Sequence, residues 1–173
     1  LYIVEKGGNT INTLDDLKGK TIYATGKGTT PEFALNYLLS SSGIDMTKDV
    51  TIEWKSEPTE IVSIMATKET AIAMMPQPFV TVAQNKFSDL RIALDLTEEW
   101  DKLDNMSRLI TAGLIVRKEF AEKNPEALNK FIEEFNSSVN YVNANVDDAA
   151  ALVGKLGIVD EAIAKKAIPY CNT

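Results

Sequence analysis

The 173-residue sequence contains no histidine and a single cysteine, Cys171, and these two absences exclude more chemistry than any residue present suggests. Without histidine the chain cannot assemble a Ser-His-Asp or Cys-His nucleophilic unit or a histidine-ligated zinc site, and one cysteine cannot close a disulfide within the chain. Cys171 reads instead as a small buried apolar residue. The sequence also lacks any run of about twenty apolar residues, so no segment reads as a membrane-spanning helix. Basic charge is sparse: 18 Lys and Arg stand against 25 Asp and Glu, and the formal net charge is -7. The lysines are interspersed with acids rather than gathered in a stripe, which argues against nucleic acid and anionic membrane surfaces as partners. Small solutes remain. Apolar residues make up 45% of the chain, enough for a sizeable core in one domain or two small lobes. The chain opens in what reads as the middle of a strand, Leu1-Tyr2-Ile3-Val4, without an initiator methionine, and is expected to be a piece of a longer protein.

The most informative segment runs from Thr21 to Phe33. Thr21 to Thr25 reads as a short strand, Gly26-Lys27-Gly28 as a glycine loop, and Thr29-Thr30-Pro31 as the start of a helix. Glycines let the backbone approach a ligand, and proline suits the first helical position, where a missing N–H costs nothing. Thr30 is the expected N-cap. The unpaired N–H groups and positive dipole end of this helix, with the Thr29 and Thr30 hydroxyls, form a pattern that can hold a phosphate, sulfonate or carboxylate. The same pattern also simply starts a helix.

Elsewhere the pattern alternates. A turn at Leu14–Lys20 feeds the Thr21 strand, and Ala34, Leu35, Leu38 and Leu39 mark one helix face that ends at Ser40-Ser41-Ser42-Gly43. Strands are expected at Val50–Trp54, Ala71–Met75 and Leu90–Asp95, with helices at Glu60–Thr67 and Phe79–Asn85 between them, as in a sheet of parallel βαβ units. Met65, Met74 and Met75 read as core, as do Tyr23 and Trp54. The acidic pairs Asp15-Asp16, Glu98-Glu99 and Asp147-Asp148 read as helix-start or solvated residues, because neighbours on a helix point apart. None is assigned to catalysis, and no metal or cofactor site is expected. After Trp100, Leu109–Arg117 reads as one long apolar strand, and the remainder is helical. Leu128, Phe131, Ile132, Phe135, Val139 and Val142 form a stripe on a helix capped by Asn124, and alanine-rich helices follow at 147–156 and 160–168. No further strand is available to cover their apolar sides, which is a second reason to expect a longer protein.

Asp16-Leu17-Lys18-Gly19-Lys20-Thr21, the Gly-Lys-Gly-Thr-Thr-Pro loop, Pro76-Gln77-Pro78-Phe79, and Gly113–Phe120 with Asn124-Pro125-Glu126 occur in an order and spacing that resemble the substrate-binding proteins of ABC importers. The resemblance is to the type II periplasmic-binding fold of the nitrate, sulfonate, taurine and thiamine-pyrimidine-precursor group, and it covers essentially the whole chain. It implies an α/β protein of two βαβ lobes joined by crossing strands, with the first lobe incomplete here. Residues 1–8 would be the first crossing strand, 9–106 the second lobe, 107–117 the return crossing strand, and 118–173 the C-terminal helices of the first lobe. It further implies a monomeric, non-catalytic protein outside the cytoplasmic membrane, lipid-anchored or free, that passes a small anionic or polar solute to ABC permease subunits in the membrane. No nucleic acid and no cofactor is implied.

Matched onto this sequence, the ligand-binding candidates are Gly28, Thr29, Thr30 and Gln77. The Gln77 amide can donate and accept, and the lack of a carboxylate in that turn disfavours an amine-bearing ligand. Lys27 can add positive charge over the loop. Two alternatives stay open. One is a biosynthetic enzyme of the same fold, of pyrimidine- or menaquinone-pathway type, since architecture alone does not separate binder from enzyme. The other is a dinucleotide-binding domain, which Gly26-x-Gly28 suggests. However, Pro31 stands where the third glycine belongs, and Glu53 lies too far along to be the ribose-binding acid.

Overall fold

The computed structural model describes residues 1–171, and the chain divides into two compact units, Leu1–Thr111 and Ala112–Thr173. In the first unit the apolar runs become five strands: β1 (Tyr2–Lys6), β2 (Thr21–Thr25), β3 (Thr51–Lys55), β4 (Ala71–Met75) and β5 (Leu90–Asp95). Four helices follow strands: α1 (Thr30–Ser41), α2 (Pro58–Ala66), α3 (Phe79–Lys86) and α4 (Leu96–Asp101). The sheet order is β3-β2-β4-β1-β5.

The sheet is mixed: β2, β3, β4 and β5, the strands read as parallel βαβ units, run in one direction, and β1 lies antiparallel among them. β2 pairs in parallel with β3 and β4, whereas β1 lies antiparallel between β4 and β5. Tyr2 and Val4 face one core and Ile3 the other. Being buried on both sides, the strand needs apolar residues at successive positions, as Tyr2-Ile3-Val4 supplies.

Because the chain leaves β2 in one direction to reach β3 and returns past it to reach β4, its two right-handed crossovers place α1 and α2 on opposite faces. On one face Leu35, Leu38 and Leu39 of α1 pack with Ile3, Ile22, Ala24, Met74 and Leu94. On the other, Ile61 and Met65 of α2 and Val80 of α3 pack with Val4, Tyr23, Ala73 and Met75. Burial of each large apolar side chain contributes about 1.5–3 kcal/mol. The three methionines are core residues, as the pattern suggested, Tyr23 is buried, and Trp54 packs half-buried on the first core. Glycine closes α1 as expected: Gly43 sits at φ +71°, and the Ile44 N–H reaches back to the Leu39 carbonyl.

A buried charge stitches β1 to β5. The Glu5 carboxylate, only 3% exposed, accepts from the Thr10 N–H and hydroxyl, from the Ile11 N–H, and from Arg91 Nη2 at 2.6 Å. Arg91 also donates to the Ile11 carbonyl, so the chain leaving β1 is held against the sheet.

The second unit is helical: α5 (Lys118–Lys123), α6 (Pro125–Ala144), α7 (Val146–Lys155) and α8 (Glu161–Ala167). The Pro125 start and the Asn124 cap position lie where the sequence places them, although Asn124 donates its side-chain amide to the Phe120 carbonyl instead of accepting from the helix. A small core of Ala149, Ala150, Ala164 and Ile168 is flanked by Val142, Val146, Val153 and Val159. Cys171 is half-buried rather than buried; its thiol donates to the Ala167 carbonyl at 3.3 Å, and burial pushes its pKa up. The expected strand at Leu109–Arg117 is not formed, and only Leu109 of this run is buried. A strand exists only as part of a sheet, and the described residues offer this run no partner strand. No helix among the described residues is long and apolar enough to cross a membrane.

Candidate functional site

β2, β3 and β4 are parallel, and β5 runs the same way because both it and β4 oppose β1. Register fixes which ends coincide: Thr25 pairs with Lys55, Ala24 with Met74, and Tyr2 with both Met75 and Asp95. The loops that follow β2, β3 and β4 therefore emerge along one edge of the sheet, and α1, α2 and α3 begin there. Neighbouring strands β2 and β4, whose outgoing helices lie on opposite faces, splay their loops apart at this edge. Such a switch point is where open α/β sheets bind ligands. The topology thus brings the sequence candidates together: Gly28, Thr29 and Thr30 follow β2, and Gln77 follows β4.

The loop geometry differs from expectation in one respect. Thr29, not Thr30, is the N-cap, with extended backbone at φ -133° and ψ -176°. Both the N–H and the hydroxyl of Thr29 turn back to the Gly26 carbonyl, at 3.1 and 2.7 Å, so the loop is closed by its own threonine. Gly26 and Gly28 take φ +86° and +78°, the left-handed region that glycine enters without strain. A Cβ on Gly26 would lie 2.7 Å from the Pro31 ring, whereas one on Gly28 would meet nothing within 4 Å. Gly28 is therefore the open side of the loop.

Its N–H donates to the Glu32 carboxylate at 2.5 Å. An internal anion thus sits on the amide that the sequence pattern offers to an external one, and it does so for the same reason, the positive end of α1. Glu32 was not among the sequence candidates, although its position one turn into the helix is the usual place for a carboxylate that reaches back. Lys27 is exposed beside it.

At the β4 end, the Gln77–Pro78 peptide is cis. Gln77 Oε1 accepts from the Thr81 hydroxyl at 2.9 Å and from the Thr81 N–H at 3.3 Å. Gln77 Nε2 is buried and has no hydrogen-bond partner among the described residues. An unpaired amide donor out of water costs about 1–3 kcal/mol, and an acceptor arriving at the strand end would relieve that cost. Among the described residues, no group of three or more His, Cys, Asp or Glu side chains converges where it could hold a metal ion.

Comparison with known proteins places this geometry in a family. Residues 1–149 match the family described as NMT1/THI5 like, and the chain belongs to it. Two Brucella relatives, from B. abortus (strain 2308) and B. suis biovar 1 (strain 1330), carry names that say only "binding protein". Each is 26% identical to this chain over 151 residues, which is 87% of this chain and 44% of theirs. The chain thus spans less than half the length of those relatives.

Among solved structures, the periplasmic aliphatic sulphonate-binding protein of Escherichia coli superposes with a TM-score of 0.71 at 17% identity, covering 94% of this chain and 52% of that one. The alkanesulfonate-binding protein of Xanthomonas axonopodis pv. citri, bound to MOPS, gives 0.65 at 16% identity, with 98% and 54% covered. An ABC transporter protein of Parabacteroides distasonis gives 0.70 at 23%, with 98% and 55% covered. The fold is therefore that of periplasmic binding proteins, as the sequence resemblance implied, and the chain corresponds to about half of one.

Proposed function

We propose that the chain is the larger part of one lobe, with the C-terminal helices of another, of an extracytoplasmic solute-binding component of an ABC importer. The reading assigns residues 9–106 to the second lobe, 1–8 and 107–117 to the two crossings, and 118–173 to the first lobe. The observation that carries it is the switch point between β2 and β4, adjacent strands that are followed at the same end of the sheet by the Gly28–Thr30 loop and by Gln77 with its buried amide donor, unpartnered among the described residues. A small anionic or polar solute of sulfonate, nitrate, taurine or pyrimidine type would take hydrogen bonds from Gln77 Nε2 and the Thr30 hydroxyl. It would displace Glu32 from Gly28 wherever it presents an oxyanion there. Among the described residues at this edge, the groups named are hydrogen-bond donors and acceptors, which supports binding as the reading. Lobe closure on the solute would shift the population toward the form that the permease subunits accept, with the protein acting as a monomer, lipid-anchored or free.

The test is a thermal-shift screen of the natural polypeptide that carries these residues against nitrate, taurine, alkanesulfonates, aminopyrimidines and carboxylates. A ligand at a hundred times its Kd stabilises by about 2.7 kcal/mol. A shift with one class and no turnover of that compound supports the binding reading and names the solute. Consumption of a compound, or no shift with any, overturns it in favour of an enzyme of the same fold.

A further inference from the structure

Four helices begin at the sheet edge where the solute loops emerge, since β5 ends level with β4: Tyr2 lies opposite both Met75 and Asp95. The chain itself places an acceptor at each of these helix starts. At α1 the Glu32 carboxylate accepts from the Gly28 N–H at 2.5 Å. At α2 the Glu60 carboxylate accepts from the Ser56 N–H at 3.3 Å, and at α4 the Asp95 carboxylate accepts from the Thr97 N–H at 2.8 Å. At α3 the acceptor is the neutral Gln77 Oε1, which takes the Thr81 N–H. An external oxyanion therefore meets helix starts that already hold internal acceptors, three of them carboxylates.

The same segments are acidic. Residues 26–33, 56–61, 76–81 and 95–99 carry Glu32, Glu57, Glu60, Asp95, Glu98 and Glu99 against one lysine, Lys27. Of the nearby cations, Lys55 is held by Glu53 at 3.1 Å and Lys102 by Glu99 at 2.5 Å. Carboxylates gathered at one edge set up a field that lowers the local concentration of anions. The group left open is uncharged: Gln77 Nε2, buried and unpartnered among the described residues, donates a hydrogen bond and offers an anion no counter-charge. A cation finds no acceptor on Gln77, because Oε1 is already engaged by the Thr81 hydroxyl and N–H.

We infer that the solute taken at this edge is uncharged and presents an acceptor, a carbonyl oxygen or a ring nitrogen, to Gln77 Nε2, and that Glu32 is the residue that turns oxyanions away. This rests on the binding reading above and narrows it from anionic or polar solutes to uncharged ones. An oxyanion reaches Gly28 only by expelling a tethered carboxylate of the same charge, whereas an uncharged acceptor meets an idle donor with Glu32 still in place.

The test uses the natural polypeptide that carries these residues and two sets of probes, followed by thermal shift and calorimetric titration. Hydantoin and cytosine present uncharged acceptors; nitrate, methanesulfonate and acetate present oxyanions. The expected result is a shift with an uncharged probe that exceeds any shift with the oxyanions at the same concentration. Glu32→Gln keeps an acceptor for the Gly28 N–H and removes the charge, so it should move the preference toward oxyanions by about tenfold. A preference unmoved by that substitution overturns the inference. So does a wild-type shift with an oxyanion that equals or exceeds the shift with the uncharged probes, and that result leaves the binding reading intact. No shift with any probe, or consumption of one, removes the binding reading and the inference together.

Discussion

Leu38 in α1 and Phe131 in α6 both belong to apolar stripes at helical spacing, yet Leu38 is wholly buried and Phe131 is 53% exposed. The two helices differ in what they lie against. α1 covers a five-stranded sheet whose strands are all present in the first unit, so its stripe is matched by Ile22, Ala24 and Met74. Among the described residues of its own unit, α6 has α5, α7, α8 and a short 3-10 turn as neighbouring elements, and Phe131, Ile132 and Phe135 remain exposed. An amphipathic stripe therefore states that a helix has a partner, and says nothing of where in the polypeptide the partner resides.

The comparison can be broken most sharply at the charge buried beneath the sheet. Glu5→Ala should destabilise the first unit by about 3–5 kcal/mol, because Arg91 and the Thr10 and Ile11 donors lose their acceptor. Urea unfolding followed by tryptophan fluorescence reads this unit alone, since both tryptophans, Trp54 and Trp100, lie within it. A loss below 1 kcal/mol would show that the network is dispensable.

Next in size, Leu38→Ala should cost about 2–5 kcal/mol by the same measurement. Phe131→Ala, followed in the 173-residue chain by helical circular dichroism, should stay within about 0.5 kcal/mol of wild type, as surface changes do. A large effect of Phe131→Ala would mean that its stripe is covered after all. The third prediction asks whether the solute loop belongs to the same rigid unit. In the natural polypeptide Thr30→Val should weaken solute binding by about 1–3 kcal/mol with the unfolding midpoint unmoved, measured by calorimetric titration with the solute that the screen identifies. Unchanged affinity would remove Thr30 from the site.

The smallest effect is in acid. Burial alone would raise the Glu5 pKa, but the Thr10, Ile11 and Arg91 donors outweigh it and hold it below its ordinary 4.5. Hydrogen bonds from the Thr47 hydroxyl and N–H, with Lys48, lower Asp45 to about 2. Depressed carboxylates contribute stability that is complete above their unfolded values and is lost as pH falls through the folded ones. Tryptophan-detected stability should therefore be flat above about pH 5 and fall below pH 4, and Glu5→Gln should flatten the part of that fall owed to Glu5. A fall of the same size in the variant would locate the acid sensitivity elsewhere.

Much of this was legible from local pattern. Pro31 and Pro125 lie at helix starts, Gly43 ends a helix, and the alternation of apolar runs with helical stripes announces the α/β unit. The glycine loop with Thr29 and Thr30 is legible as a strand-to-helix junction, a local feature, whereas Gln77 stands out only through the family resemblance. Other features were not legible in the local pattern. Thr29 and not Thr30 caps α1, because the loop closes on Gly26 and takes Thr29 with it. The antiparallel direction of β1 is not a local feature, because it depends on β4 and β5, which are distant in the chain. Leu109–Arg117 is no strand because strand character alone cannot supply a ladder.

By itself, then, the sequence determined which side chains these 173 residues bring and the run of elements: no histidine among them, a single cysteine that cannot pair within the chain, a glycine loop opening a helix, and apolar faces at fixed periods. These follow from side-chain type and from the short range of turns and caps. Only the tertiary structure decided strand direction, the meeting of the β2 and β4 loops at one edge, the occupation of Gly28 by Glu32, and which apolar faces are satisfied. Each of those depends on residues distant in the chain being brought into contact, and contact at that range is set by packing of the whole sheet and not by any local segment.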